Sequence, residues 1–433
     1  MTRPASGQRG SAIIVVLWAI AIAALVVSAV QLSAQRQALL GREALNRIQA
    51  RWAARAGMES TIAVMAYHTL NPVPDDAWAM VREMEYVHRG ETLDARWEIL
   101  HHADGRDWEG PMDEHSKFNI NREDRSIIFQ LLEPEGLTID KAAEIMDWID
   151  EDDEVTAFGA ERDYYLSQIP PYEPRNGLFR TTAELELVAG IWPEELRGED
   201  WNLNNRLDPN EDDSERSFPS DDPDRKLEAG WFSYLTAYSV IDGATASGQP
   251  RILLRIADPN ELAERLGIDY AQAEALKAFG KQDGNRLEQL VSVQGTSAGS
   301  GALANLTREQ LDAVFNETAI DSPLDRLPGK MNINTISADL LRDLLPGEEI
   351  LADEILYIRD SRPEGITSLI ELTELRELTS ETWERLSSLL TTTSNVYTIT
   401  SRGKSASGDL EIEIVAVVDR STVPVRIIEY REQ

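Results

Sequence analysis

The stretch SAIIVVLWAIAIAALVVSAVQLSAQ, residues 11–35, contains no charged side chain, and its role determines how the rest of the chain is interpreted. As a helix rising about 1.5 Å per residue it is about 37 Å long, enough to cross a hydrocarbon core of about 30 Å. A secretory signal has a shorter apolar region, about 7–15 residues, before its cleavage site. Ser28-Ala29-Val30 and Ser33-Ala34 are only weak sites of that kind. The stretch favours a membrane span, and Arg3 and Arg9 before it predict a cytoplasmic N-terminus.

The helix is predicted to continue out of the membrane. Residues 35–65 contain no proline, and their apolar side chains recur at a spacing near 3.6 residues, as on one face of a helix. The segment Asn71-Pro72-Val73-Pro74 should end it, because proline has no backbone N–H to donate. A plain membrane anchor with a helical stalk is compatible with this pattern. Trp52 and Met65 are candidates for either the core or an interface with partner helices.

Composition limits the classes of function. The chain has 433 residues, of which 42% are hydrophobic, so it can build more than one packed core. Its formal net charge of −34 repels phosphate backbones and suits the capture of divalent cations by carboxylates. The absence of cysteine excludes disulfides, thiol catalysis and cysteine-ligated zinc.

One segment occurs twice. KFNIN at residues 117–121 returns as KMNIN at residues 330–334, and the register holds without a gap for about thirty residues at an offset of 213. A constant offset indicates a duplicated unit, and a weaker middle copy starts at Ile252. Each copy is predicted to be a short extended start, a helix, a turn and a second helix. In the last copy, Ser337 or Asp339 is the expected helix cap.

The segments that flank the repeats have the character of strands. Residues 95–101 alternate between apolar and polar, and residues 395–402, 410–418 and 425–430 are strand-like. Residues 403–409, GKSASGD, indicate a hairpin between two of them. We therefore predict one antiparallel sheet packed on the amphipathic half of the long helix, which gives an α+β fold.

The residues around Gly10 resemble a known class. Basic residues, Gly10, a small residue and an unbroken apolar helix that enters a globular domain resemble the type IV pilins and pseudopilins. In that class a prepilin peptidase cuts after the glycine, here between Gly10 and Ser11, and the new N-terminus is methylated. Most members have glutamate at the fifth mature position, where this chain has Val15. The minor pseudopilin K family of type II secretion lacks it, and a filament-tip subunit has no subunit above it whose amine would pair with that carboxylate in lipid.

The middle of the chain strengthens this resemblance. The elements DWID, GAE with a following tyrosine, RN and EL-LV-GI follow one another within residues 113–191, as in the protein K family. The resemblance implies a pilin-like long helix on a small antiparallel sheet, with a large inserted all-α domain of helix-hairpin-helix-like repeats. It further implies a single-pass inner-membrane protein with a periplasmic bulk. The implied partners are prepilin peptidase and other minor pseudopilins, with which the chain would start or cap the pseudopilus.

The expected organisation follows from these patterns. The divisions are a leader (1–10), a transmembrane half-helix (11–35), an amphipathic half-helix (36–70), the first strands of the body (71–112), an inserted helical domain with the first repeat and an acidic loop (113–250), a middle repeat and linker (251–328), the last repeat (329–392) and the C-terminal strands (393–433).

The first acidic cluster is a candidate calcium site. Asp150, Asp152 and Glu161 have the spacing of an EF-hand loop, but Val155 stands where the EF-hand needs glycine, so a true EF-hand is excluded. The protein K resemblance implies calcium in the helical domain. Asp147 is either a further ligand or a residue of the helix face, and a merely solvated acidic surface is the competing interpretation.

The second acidic cluster is DPNEDDSERSFPSDDPDRK, residues 208–226. Its few apolar residues favour a mobile, solvated loop. The alternative is a second calcium site that uses Asp208, Asn210 and Asp212.

Enzyme and nucleic-acid functions have little support. Residues 295–299 fit GxSxG, but all five histidines lie upstream, so the segment is interpreted as a linker and no catalytic residue is predicted. A membrane-anchored DNA receptor with helix-hairpin-helix units is the main alternative function. The hairpins at residues 133–136 and 346–349 place acids where phosphates would bind, so no nucleic-acid partner is expected.

Overall fold

The computed structural model describes residues 9–122, 125–134, 136–241, 243, 245, 247–293, 301–320, 327–408 and 410–433. Residues 1–8 of the expected leader and the GxSxG segment at 295–299 lie outside the described residues. Helix α1, Arg9–Leu70, is one unbroken helix and ends just before Pro72, as predicted. In the described part of the chain it is the one helix long and apolar enough to cross a membrane. Its first half exposes its apolar side chains on all sides.

A small α+β body surrounds the second half of α1. Helix α2 (Ala79–Tyr86) follows α1, and then come the strands β1 (Arg89–Thr92), β2 (Ala95–Ala103), β3 (Arg106–Glu109) and β4 (Met112–Asp113). The chain next forms a long insert and returns to the body only near residue 396.

The insert is mostly helical. Its helices are α3 (Arg125–Leu132), α4 (Ile139–Ile149), α5 (Arg162–Leu166), α6 (Pro193–Arg197), α7 (Pro259–Leu266), α8 (Tyr270–Lys281), α9 (Gln289–Val293), α10 (Arg308–Glu317), α11 (Ala338–Asp343), α12 (Glu349–Ser361) and α13 (Ser380–Leu389). Its short strands are β5 (Phe118–Asn119), β6 (Leu235–Thr236), β7 (Ile252–Leu253), β8 (Thr318–Ala319), β9 (Met331–Asn332) and β10 (Leu390–Thr391). It has its own hydrophobic core, separate from that of the body.

The expectation of an all-α insert is wrong in one respect. Strand β5 pairs in parallel with β6, β7 with β8, and β9 with β10. In each pair the chain that starts a helical segment lies beside the chain that closes it. The buried backbone groups of these segments need hydrogen-bond partners, and the parallel pairs supply them.

The body is completed by β11 (Val396–Lys404), β12 (Glu411–Asp419) and β13 (Arg426–Glu432). The strand order is β1-β2-β11-β12-β13, with β3 on β2 and β4 on β11, and the pairing is antiparallel. The predicted α+β class, with a long N-terminal helix on an antiparallel sheet, is therefore confirmed. The predicted strands at 95–101, 395–402, 410–418 and 425–430 correspond to β2, β11, β12 and β13.

Helix α1 packs closely on the middle of this sheet. Ala54, Met58 and Met65 of α1 share one core cluster with Ile99 and Ile399 of the strands. A Cβ on Gly403 would lie 2.0 Å from the carbonyl oxygen of Ala50, so glycine permits this approach of helix and strand. Met65 is thus a core residue.

The repeated KxNxN segment is explained by its hydrogen bonds. The side chain of Asn121 bonds both backbone groups that face it, donating to Phe179 O (3.0 Å) and accepting from Phe179 N (2.7 Å). Asn334 does the same with Ile366, at 2.9 and 2.8 Å. The amide oxygen of the preceding asparagine in each copy, Asn119 or Asn332, accepts a bond from the backbone N–H two residues later. The two copies make the same hydrogen bonds, which supports a duplicated unit. The duplication, its helix-hairpin-helix character and the middle copy stay predictions.

Candidate metal centre and assembly helix

The first acidic cluster forms where helix α4 ends. α4 is amphipathic, and its Trp148 and Ile149 belong to the core of the insert. Asp147 lies on the same buried side and is fully buried. Thr156, in the following loop, donates to Asp147 from both its hydroxyl (2.6 Å to Oδ1) and its backbone N–H (3.2 Å to Oδ2). The chain therefore folds back from α4 and closes a loop over this carboxylate.

Three of the predicted acids come together at this point. Oxygen atoms of Asp147, Asp150 and Glu161 all lie within 4.8 Å of one another. Glu161 stands at the start of α5 and is only 2% exposed. Neither of its carboxylate oxygens accepts a hydrogen bond from the residues that the structure describes.

Among the described residues, no hydrogen-bond donor compensates the charge of Glu161. Burial, reinforced by the neighbouring charges of Asp147 and Asp150, raises the pKa of Glu161 to about 7. A buried carboxylate without a partner is costly, and a bound cation would remove that cost. The close fit of the loop is visible at Gly159, where a Cβ would lie 1.9 Å from Oδ2 of Asp147.

Asp152 lies outside this group. It is exposed, and its Oδ1 accepts a bond of 2.7 Å from the backbone N–H of Glu154. The amide of Asn176 donates to the carbonyl of Asp152 (2.8 Å) and to Oδ1 of Asp153 (3.0 Å), so it ties the loop to a later segment. Gly159 and Asn176 belong to the GAE and RN motifs, but the contacts of these residues and of Thr156 were not predicted from the sequence, because they depend on where the loop closes.

The second acidic cluster is folded onto the body. Asp208 is buried and forms an ion pair of 2.6 Å with Arg402 of β11, which also pairs with Glu413 of β12 at 2.9 Å. Asn204 donates to both Asp208 (3.0 Å) and Glu413 (2.9 Å). The expectation of a mobile, solvated loop is thus wrong for this part of the cluster, because the sheet supplies a cation and amides to its acids.

The other members of the second cluster divide between surface and interior. Oδ1 of Asp212 accepts a bond of 3.1 Å from the backbone N–H of Arg225, and Asn210 donates to the carbonyl of Phe218. Glu211, a member of the acidic cluster that was not predicted to be a ligand, is fully buried, and burial raises its pKa to about 8. The arginine on Asp208 makes this cluster a poorer cation site than the first.

The predicted processing site lies in the first turn of α1. The helix begins at Arg9, so the backbone of Gly10 and Ser11 is helical. Val15 is 66% exposed. Farther along, beyond the span, α1 leaves Leu39, Leu45 and Trp52 at least half exposed, so Trp52 is available for an interface.

The fold and the apolar helix define a class. Within the described residues it is an α+β protein whose long N-terminal helix has one candidate membrane span in its first half and packs with its second half on an antiparallel sheet. Residues 114–198 match the model of the family Type II secretion system (T2SS), protein K. The resemblance drawn from the sequence is confirmed, and the chain carries a protein K domain of type II secretion.

A chain from the crystal structure of the GspK-GspI-GspJ complex of the enterotoxigenic Escherichia coli type 2 secretion system is similar, with 12% identity and a TM-score of 0.47. The alignment covers 91% of this chain and 99% of that one. No curated protein matches the chain.

Proposed function

We propose that the chain is a minor pseudopilin of a type II secretion system that starts or caps the periplasmic pseudopilus together with other minor pseudopilins. The observation that carries the proposal is the protein K domain at residues 114–198, inserted into a body built on a long apolar helix. The role is structural, and no catalytic residue takes part. No observation favours the alternative of a DNA receptor.

The proposed placement is a single pass through the inner membrane. The apolar half of α1 would span the bilayer, with the basic N-terminus in the cytoplasm and the body and insert in the periplasm. Prepilin peptidase would cut between Gly10 and Ser11, and the retained helix would act as both anchor and assembly element. Val15 supports a position at the tip, because a shaft subunit would use a glutamate there.

Helix α1 is the proposed contact with other minor pseudopilins. Its exposed apolar side chains beyond the span include Leu39 and Trp52, which leaves both available to a partner helix. The insert supports a capping role, because it adds a second hydrophobic core to a body that already has its own. Such a bulk would prevent another subunit from stacking above this one.

We propose that Asp147, Asp150 and Glu161 bind calcium in this protein. Their oxygens suit a hard cation that takes six to eight oxygen ligands, and the uncompensated Glu161 gives the site a need for positive charge. The ion would fasten the loop between α4 and α5 at both of its ends. Asp152, Asp208 and Asp212 are not part of the proposed ligand set.

The proposal is tested by complementing a deletion of the gene in its own host. We expect the wild-type gene to restore secretion and Gly10→Phe to leave an uncut precursor without secretion. Gly41→Ala is the matched control, since a Cβ on Gly41 meets no atom within 4 Å. Normal trimming and secretion in the Gly10→Phe strain would contradict the proposal.

A further inference from the structure

The loop between α4 and α5 exposes two apolar side chains beside the acidic cluster. Val155 is 63% exposed and Phe158 is 66% exposed. They stand on either side of Thr156 and Ala157, and Thr156 is held on the buried Asp147 by two hydrogen bonds. The loop is therefore anchored on the buried Asp147, while its two apolar side chains are exposed to solvent.

Phe158 has a backbone conformation that is unusual for its type. The N–H of Gly159 donates to the carbonyl of Thr156 at 2.9 Å, which makes a tight turn with Phe158 at its third position. Its φ is +73°, a value that favours glycine or asparagine and strains a bulky side chain. The fold maintains such strain, and residues of this kind cluster at functional sites. Because Phe158 is exposed, burial does not explain why a bulky side chain stands where glycine would be unstrained.

The charges around the loop indicate what covers it. Glu151, Asp152, Asp153 and Glu154 are consecutive and all exposed, and no lysine or arginine lies between them and Phe158. Four carboxylates repel an anionic lipid surface. A second copy of the chain would bring the same acids, and because each copy has a formal net charge of −34, the two copies would repel each other. A basic protein segment with an apolar or aromatic side chain complements both features.

We propose that residues 151–158 form a docking loop for a basic, apolar segment of another protein, with Phe158 and Val155 as the anchor and the four acids as its electrostatic rim. The bonds from Thr156 and Gly159 hold the loop without an ion, so the inference stands apart from the calcium proposal. It also concerns a surface other than α1.

The test uses the full chain in phosphatidylcholine nanodiscs and a fluorescein-labelled peptide of alternating Lys and Phe residues, followed by fluorescence anisotropy. We expect binding that weakens by about ten-fold in Phe158→Gly. Tyr86→Ser, which removes an 85% exposed aromatic residue of the body, should leave binding unchanged. Peptides with Glu in place of Lys, or Ser in place of Phe, should bind much more weakly.

The variant should keep its fold, since glycine relieves the strain at position 158. We expect the melting temperature of Phe158→Gly to equal or exceed that of the wild type, and a clear fall would overturn the inference by giving Phe158 a structural role. Equal peptide binding by the wild type and Phe158→Gly would also overturn it. So would Phe158-dependent binding of phosphatidylglycerol vesicles, or Phe158-dependent dimerisation, in the absence of peptide binding.

Discussion

The two acidic clusters look alike in the sequence but differ in the partners of one buried carboxylate in each, Asp208 and Glu161. Asp208 has an arginine from the sheet, at an ion-pair distance of 2.6 Å. The neighbouring charges that act most strongly on Glu161 are those of other acids, and its oxygens receive no hydrogen bond within the described part of the chain. The fold therefore supplies a cation to Asp208 in the second cluster, whereas Glu161 in the first cluster still needs one. Calcium is proposed for the first cluster alone for this reason.

Calcium should stabilise the chain through Glu161. We expect calcium to raise the melting temperature of the wild type and to have no such effect on Glu161→Gln, which keeps the shape of the side chain but loses its charge. Asp152→Asn is the matched control, and it should retain the calcium response because Asp152 lies outside the group. Differential scanning calorimetry with calcium or a chelator measures this, and a wild type indifferent to calcium would end the metal proposal.

Glu211 should make stability depend on pH. Burial raises its pKa from the ordinary 4.5 to about 8, so the native state holds a proton that the unfolded chain releases. Its contribution to the free energy of unfolding is therefore largest at low pH and is lost as the pH rises from about 4.5 to 8. Urea unfolding in detergent at a series of pH values should show a flatter dependence for Glu211→Gln than for the wild type. The exposed Glu215→Gln should follow the wild type, and identical profiles for all three would contradict the assignment.

At the scale of elements, the KxNxN segments close the helical units of the insert. Asn334→Ala removes two hydrogen bonds and leaves buried backbone groups of Ile366 unpaired, so we expect a loss of about 1–3 kcal/mol in the free energy of unfolding. Asn121→Ala should cost a similar amount, because its bonds are the same. Asn260→Ala, on the surface, should change stability by less than about 0.5 kcal/mol. Urea denaturation measures all three, and a negligible effect at both motif positions would refute this role.

The elements themselves were largely predictable from the sequence, whereas the site was predictable only in part. Helix α1 and strands β2, β11, β12 and β13 have local periodicities, which depend on neighbouring residues alone. The acids of the metal centre were found as a charge cluster, but the sequence could not separate Asp150 from Asp152, because one faces Glu161 and the other faces solvent. Asp208 pairs with Arg402, which is 194 residues away in the sequence. Because this partner is not visible locally, the acidic segment around Asp208 was interpreted as a solvated loop.

In the whole molecule, the insert contacts the body not only at the two points where the chain passes between them. Arg402 and Thr400 of β11 both contact the segment around Asn204 and Asp208, and the N–H of His102 on β2 donates to the carbonyl of Asn205 at 2.6 Å. A loop of the insert therefore lies against strands of the body. This contact would hold the insert in a fixed position on the body.

Breaking that contact should loosen the whole molecule. Arg402→Met leaves Asp208 and Glu413 buried without their cation, so we expect a loss of about 3–5 kcal/mol in the free energy of unfolding. Proteolysis within residues 202–226 should accelerate. Lys404→Met, which breaks a pair on the same strand whose side chains are 38% and 41% exposed, should cost less than about 1 kcal/mol. Equal stability and equal proteolysis of the two variants would show that the contact is incidental.

A chain that works as a pseudopilin is processed at its N-terminus. Mass spectrometry of the N-terminus of the protein purified from the membranes of its own host tests this directly. We expect a mature chain that begins at Ser11, carries one methyl group on its amine and keeps the whole apolar helix. A chain that still begins with its leader, or one cut after the span near Ala29 or Ala34, would contradict it.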